Sequence, residues 1–350
     1  MKKINILPPI SLLFLLFIFT SSRCSVQPKL HDKSSSTPIF LDSTQASIQI
    51  IAADVEGFFD HITSLDMSIQ MQSKTQNSTR EKVLVQFKKF LATQVSPWES
   101  SEIELLIYSL KEAKKMVEKV NEKAWPPISL VKIKTNHYGK HVYYTRGNII
   151  FIPENIFENY VHEEQIPVLI HEIFHILSKN HMPLRDSLYQ LIGFKKLSSV
   201  PVIKGPLAEN LLTNPDGVTR QYALEINDEH QTTLVIPLIS SKFSAWKKET
   251  PHFFDYLSFD LYPIQWDNGK YVVQTNEWGH TTMPLKQTQQ FFTKIKDNTQ
   301  YIIHPEEIIA DNFMLAVLYN HDNQKNKFSE EGKKLIDNVL QMIRFYHFKS

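Results

Sequence analysis

Residues 168–178 read Val-Leu-Ile-His-Glu-Ile-Phe-His-Ile-Leu-Ser, an apolar run of about three helical turns that carries two histidines and a glutamate. A helix that is apolar on every side has to be buried on every side, so the chain must supply layers of structure around it. Burial then makes a demand on the polar residues, because His171, Glu172 and His175 are costly to place in an apolar interior without partners. On a helix, His171 and His175 are four residues apart and project from one face, one turn above the other. Two imidazoles at that spacing can share one zinc ion, and Glu172 beside them can take a proton from a water that the metal activates. This is the H-E-x-x-H signature. With 14 histidines and 22 glutamates in 350 residues, chance predicts roughly 0.03 copies.

Other features remove competing chemistries. The nine glycines stand at 57, 139, 147, 193, 205, 217, 269, 279 and 332, with no two closer than eight residues. Phosphate-cradling loops, dinucleotide fingerprints and nucleophile elbows all need closer pairs. A net charge of +1 offers no electrostatic basis for a nucleic-acid partner. The single cysteine, Cys24, excludes intrachain disulfides and cysteine zinc knuckles.

Lys2 and Lys3 precede an apolar run at 10–19 that ends in Thr20, Ser21 and Ser22. That layout predicts a signal peptide over 1–24 and an exported protein, periplasmic or secreted. Arg23 and Ser21 suit lipid attachment at Cys24 poorly, so plain cleavage is expected over a lipoprotein. Membrane contact is expected only through such an anchor or an uncleaved signal. Residues 25–44 are polar and Ser-rich and read as a linker. Residues 45–95 read as a helical N-terminal region, with Ile48, Ile51, Val55, Phe58 and Phe59 on one face.

Ser96-Pro97-Trp98-Glu99 predicts a helix start with Ser96 as cap, followed by an apolar stripe from Ile103 to Val120. Residues 129–134 read as a strand, and 142–144 with 148–152 as a hairpin around Arg146-Gly147. The motif helix is expected to hold Pro167 in its first turn and to run to 179. Strands are expected at 221–226 and 232–238, and helices at 285–296, 305–319 and 329–348. No pattern is readable over most of 240–285. The fold class is therefore α+β and helix-rich.

Two histidines leave a zinc ion short of protein ligands. Residues 304–313 read His-Pro-Glu-Glu-Ile-Ile-Ala-Asp-Asn-Phe, with Pro and two acids opening a helix. Glu307 and Asp311 share a face there. Glu307 is the expected third ligand, and Asp311 the expected acceptor for the outer N–H of His171 or His175. Glu306 reads as a surface acid favoured by the helix dipole. His181 competes, since it follows His175 at the spacing of the H-E-x-x-H-x-x-G-x-x-H pattern. Ser178 stands where that pattern needs a glycine, so Glu307 is expected over His181.

The pairing of His-Glu-Ile-Phe-His with Glu-Ile-Ile-Ala-Asp resembles the gluzincin branch of zinc metallopeptidases, whose second motif is E-x-x-x-D. The longer strings around both motifs also look like an uncharacterised family of exported bacterial proteins. The resemblance implies a zincin-like domain over 96–350: a backing helix, a small mixed sheet, a zinc helix and a glutamate helix. It implies one Zn²⁺ per chain on His171, His175 and Glu307, with Glu172 as general base and Asp311 supporting a histidine. It further implies a peptide or protein substrate, bound as an added strand on a sheet edge. Residues 148–152, with Asn148, Ile150 and Ile152, are the expected edge. An oxyanion donor is needed as well, and Tyr222, His280, Tyr301 and His304 are the candidates. Two alternatives stay open: an exported protein whose zinc is purely structural, and a helical surface protein in which the motif is fortuitous.

Overall fold

The computed structural model describes residues 37–52, 55–75, 78–227, 232–250, 252–283, 288–322 and 327–348. The expected signal peptide, Cys24 and most of the expected linker lie outside the described residues. No helix among the described residues is long and apolar enough to cross a membrane. The architecture is α+β with two sheets, one mixed and one antiparallel.

Strand β1 (Ile39–Phe40) opens the described chain and helix α1 (Ser43–Ala52) follows. The expected linker therefore ends in secondary structure, because Ile39 and Phe40 pair in parallel with Ser129 and Leu130. Three more helices complete the N-terminal region: α2 (Phe58–His61), α3 (Ser64–Gln70) and α4 (Arg80–Ala92). Their buried faces, including Ala46, Ile50, Phe58, Phe59, Val83 and Phe87, belong to the same hydrophobic core as the motif helix.

Helix α5 (Ser100–Val120) starts three residues later than Ser96 would place it. Glu99 is the cap, and the Glu99 and Glu102 side chains form a reciprocal capping box. Ser96 is drawn into the sheet instead, its N–H donating to Lys132 O at 2.9 Å and its hydroxyl to Glu154 at 2.6 Å. Strands β2 (Ser129–Ile133), β3 (Tyr144–Arg146) and β4 (Ile149–Pro153) then complete a four-stranded sheet in the order β1-β2-β4-β3.

This order corrects the expected substrate edge. Strand β4 is interior, parallel to β2 on one side and antiparallel to β3 on the other. Asn148 lies in the hairpin turn before it, and Ile150 and Ile152 are fully buried. The run Ile-Ile-Phe-Ile is apolar without alternation, as a strand covered on both faces requires. The hairpin continues to place β3 outside it, so the sheet ends at Tyr144–Arg146.

Helix α6 (His162–Asn180) carries the motif and begins one turn before the expected start, so Pro167 lies inside it. Leu169, Ile170, Ile173, Phe174, Ile176 and Leu177 are buried around its whole circumference. It packs against α5 on one side and α11 (Pro305–Asp322) on another. Helix α7 (Met182–Leu191), unforeseen in the sequence, follows directly, with His181 as the hinge residue between them.

The second sheet is an antiparallel meander of β5 (Phe194–Lys196), β6 (Tyr222–Asn227), β7 (Thr232–Ser241), β8 (Leu257–Asp267) and β9 (Lys270–Val273). Short helix α8 (Gly205–Asn210) lies between β5 and β6, and α9 (Phe253–Tyr256) between β7 and β8. Helices α10 (Thr288–Ile295) and α12 (Glu330–Phe345) complete the fold around α11. Strand β8 lies in the stretch with no readable pattern. Its alternation of Leu257, Phe259 and Leu261 with Ser258 and Asp260 was the available signal.

Helix α3 also ties the N-terminal region to the loop between α8 and β6. Asp66 is fully buried and accepts from Thr213 N–H at 2.7 Å and Gln70 Nε2 at 2.8 Å. Burial pushes its carboxyl up to about 7, against opposing help from these hydrogen bonds and the Arg220 charge. The folded chain thus keeps a proton that the unfolded chain has released, so this stability is full at acid pH and lost as pH rises through about 7. A rise from near 4 to about 7 is worth at most about 4 kcal/mol. Asparagine keeps an acceptor for Thr213, and after a turn of the Gln70 amide it donates to Gln70 Oε1, which otherwise lacks a partner. Asp66→Asn is therefore expected to lose less stability than wild type between pH 5 and pH 8 in urea melts. Parallel pH profiles for the two chains would show that Asp66 titrates normally.

Candidate metal centre

Three elements and a loop converge at the middle of the protein. Helix α6 contributes His171, Glu172 and His175, helix α11 contributes Glu306, Glu307 and Asp311, and strand β3 contributes Thr145. The loop between α8 and β6 adds Asn214 and Asp216. The first turn of α6 holds Glu163 and Glu164, and that of α11 holds Glu306 and Glu307, so both helices open with the acids their dipoles favour.

Both motif imidazoles turn Nε2 toward Glu307. His171 Nε2 lies 3.2 Å from Glu307 Oε2, and His175 Nε2 lies 3.6 Å from the same oxygen. Two donors held about 2.1 Å from one tetrahedral ion stand about 3.4 Å apart, so each histidine nitrogen and the Glu307 oxygen are spaced as two donors on one metal would be. His175 Nε2 is buried and has no hydrogen-bond partner. A buried imidazole nitrogen aimed at a carboxylate oxygen, with no hydrogen-bond partner among the described residues, suits a shared cation. Donor groups of His171, Glu172 and His175, and of His175, Asp216 and Glu307, each lie within 4.8 Å of one another.

The outer nitrogens are held as firmly. His171 Nδ1 donates to Asp311 Oδ1 at 2.8 Å, as expected, and Asp311 also accepts from the Thr299 hydroxyl. His175 Nδ1 donates to Glu306 Oε1 at 3.0 Å. A proton held on each Nδ1 makes Nε2 the nitrogen that would face a metal, and for His171 metal binding would displace the proton that Nε2 shares with Glu307.

Glu306 is therefore not the surface acid that its position suggested. It is 1% exposed and accepts from His175, from the Ser178 hydroxyl and from the Tyr189 hydroxyl. The reason lies in α11, whose residues Ile308, Ile309, Ala310, Phe313 and Ala316 are buried around it, so no face of its first turn reaches solvent. Ser178 gains a meaning too: where the rival pattern needs glycine, its hydroxyl holds the carboxylate that orients His175.

His181 is not brought to this cluster. Its ring packs edge-on against Tyr346 and Phe348, with centroids 5.6 and 4.9 Å away. Helix α6 ends between it and His175, and its N–H closes the last turn on Leu177 O. The loss of helical register at that point sends the side chain toward the C-terminal segment, away from the ligand face.

Electrostatics point the same way as distance. Five carboxyl groups, those of Glu172, Asp216, Glu306, Glu307 and Asp311, surround two imidazoles. Burial pushes Glu172 up to about 7 and raises Glu306, and burial together with Glu172 and Glu307 raises Asp216 far above the usual carboxylate range. Burial also holds His175 well below its ordinary value. For His171 the bonds to Asp311 and Glu307 outweigh burial and hold it well above. A bound dication would add positive charge to this cluster beyond that of Lys179.

Thr145 links Glu172 to the sheet. Its hydroxyl donates to Glu172 Oε2 at 2.7 Å, and its N–H donates to Asp216 Oδ1. Its carbonyl accepts from Lys179 Nζ at 2.8 Å. Asn214 Nδ2 donates to Glu307 Oε1 at 2.6 Å, which leaves Oε2 to face the histidines.

Of the four oxyanion candidates, Tyr301 borders the cluster. Its ring lies 6.4 Å from that of His171, and burial with the charges of Glu307, Asp216 and Glu172 pushes its hydroxyl well above 10. Tyr222 is engaged with Asp186, and His280 is exposed. Both ring nitrogens of His304 are occupied, one accepting from Glu306 N–H at 3.0 Å and the other donating to Thr219 O at 2.9 Å.

Sequence reasoning did not single out Asp216, Asn214 or Thr145. Asn-Pro-Asp-Gly at 214–217 reads as a turn, and nothing local says what the turn leans on. No family model, no curated protein and no solved structure matches this chain.

Proposed function

We propose that this chain is an exported zinc-dependent peptidase of gluzincin type, with a zincin-like domain built on α5, the mixed sheet, α6 and α11. The observation that carries the reading is the convergence of His171 Nε2, His175 Nε2 and Glu307 Oε2 with Glu172 alongside. His171, His175 and Glu307 would hold the metal. Bound zinc supplies Lewis acidity, which acidifies water and polarises a scissile carbonyl. Glu172 takes the proton of the attacking water and passes it to the leaving amine. The Thr145 hydroxyl orients Glu172, and Asp311 and Glu306 fix the histidine tautomers. Tyr301, the candidate whose ring borders His171, would donate to the oxyanion. The basic start and apolar run at 2–19 support export.

A specific observation also favours the rival reading of a structural metal: Asp216 lies within 4.8 Å of the donor atoms of His175 and Glu307, and a fourth protein donor would close the site as in structural zinc centres.

The test is elemental analysis of the purified protein beside His181→Ala. Both are expected to hold about one zinc per chain. Free metal at 100 times its dissociation constant adds about 2.7 kcal/mol of stability, so chelation should lower the melting temperature of both. No zinc in folded wild type, or loss of zinc in His181→Ala alone, would overturn the assignment.

A further inference from the structure

The carboxylate of Asp216 occupies two places at once. It lies within 4.8 Å of the donor atoms of His175 and Glu307, and it accepts the N–H of Thr145 at the edge of the mixed sheet. Thr145 pairs with Ile150 across the sheet, but its own N–H and carbonyl face outward, to Asp216 and Lys179. Those outward groups are the ones that an extended peptide added to this edge would use. Strand β3 has no free edge while the loop stays where it is.

Several contacts seat this loop. Asp66 accepts Thr213 N–H, the Thr63 hydroxyl donates to Leu211 O at 2.8 Å, and Leu212 N–H donates to Ile239 O at 3.0 Å. Asp216 N–H turns back to Asn214 Oδ1 at 3.2 Å, so the two functional side chains of the turn are set together. Gly217 lies flat against His304, where an added Cβ would come within 2.3 Å of Nδ1. The glycine permits the approach that brings Asp216 to the ligands.

We infer that Asp216 is a fourth protein ligand and that the turn at 213–217 is an internal occupant of the substrate position, which makes the described form latent. The inference rests on the metal site proposed above. The same carboxylate fills the metal's open position and caps the sheet edge where a peptide would pair. Displacing the turn would free the metal's open position and the Thr145 N–H together, with the Thr145 carbonyl still held by Lys179, and it would require breaking the bonds to Asp66 and Ile239 or tilting the turn on them.

Cobalt(II) tests this without reference to activity, because its visible spectrum reports ligand changes and acetohydroxamate binds an open position. The cobalt-loaded wild-type spectrum is expected to stay unchanged in millimolar acetohydroxamate. Asp216→Asn keeps an acceptor for Thr145 and should bind cobalt at least about 10-fold more weakly, the least that loss of even an outer partner costs, with a spectrum that now responds to the hydroxamate. Asp216→Ser provides a second opened chain should the asparagine remain coordinated. Hydrolysis of a quenched-fluorescence peptide library, with zinc loaded, should rise at least tenfold in the opened chains. A wild-type spectrum that responds as the variants do would overturn ligation by Asp216 while leaving the three-ligand site intact. Opened spectra without any gain in hydrolysis would overturn latency. Folded wild type that takes up no cobalt would instead overturn the metal reading beneath it.

Discussion

Glu172→Gln is expected to keep one zinc per chain and to lose peptide hydrolysis by about 10²- to 10⁴-fold, the contribution of a positioned general base. The comparison belongs in the Asp216→Asn background, where an open site gives a rate to lose. Glutamine is isosteric and still accepts the Thr145 hydroxyl, so the local packing survives. What disappears is the ability to hold the proton of the attacking water. Metal content should not fall, because the convergent donors are His171, His175 and Glu307. Undiminished turnover in Glu172→Gln would remove Glu172 from the mechanism. Loss of zinc with loss of rate would make it a ligand.

Glu307→Ala is the second large effect. Both imidazoles bring Nε2 to its Oε2, at 3.2 and 3.6 Å. Removing it leaves two nitrogens and, if Asp216 ligates, one loop carboxylate. Zinc affinity is expected to fall by more than about 100-fold, beyond the 10- to 100-fold that loss of an outer partner costs. Glu306→Gln serves as the internal comparison, since it weakens only the Nδ1 partner of His175 and should stay within that smaller range. Equilibrium titration with a chromophoric chelator measures both. If Glu306→Gln lost more affinity than Glu307→Ala, the roles of the two adjacent acids would be exchanged.

Adjacent residues on one helix thus divide two jobs, and a neighbouring turn divides them again. Glu307 turns Oε2 toward the two histidines because Asn214 holds its other oxygen. Glu306, about 100° further round the helix, reaches the back of His175. The arrangement needs α11 to be buried on both of these faces, and burial of both is what the surrounding apolar residues provide.

Much of this was legible in the sequence. The motif spacing put His171, Glu172 and His175 on one buried helix, since a 3.6-residue period depends on nothing beyond the chain itself. The E-x-x-x-D spacing likewise put Glu307 and Asp311 on one face, and Asp311 meets His171 as expected. The α+β class followed from periodicities that local sequence carries. The errors share a cause. Residues 148–152 looked like an edge strand, but which strand ends a sheet depends on partners far along the chain, here β2 on one side and β3 on the other. Glu306 looked like a surface acid because dipole rules apply to a helix end in water, and only the packing of α11 against α6 removes the water. The turn at 213–217 was a turn in either view. Only the tertiary structure decided that it lies over the ligands, because Asp66, Ile239 and His304, which seat it, come from separate parts of the chain and act on it through space alone.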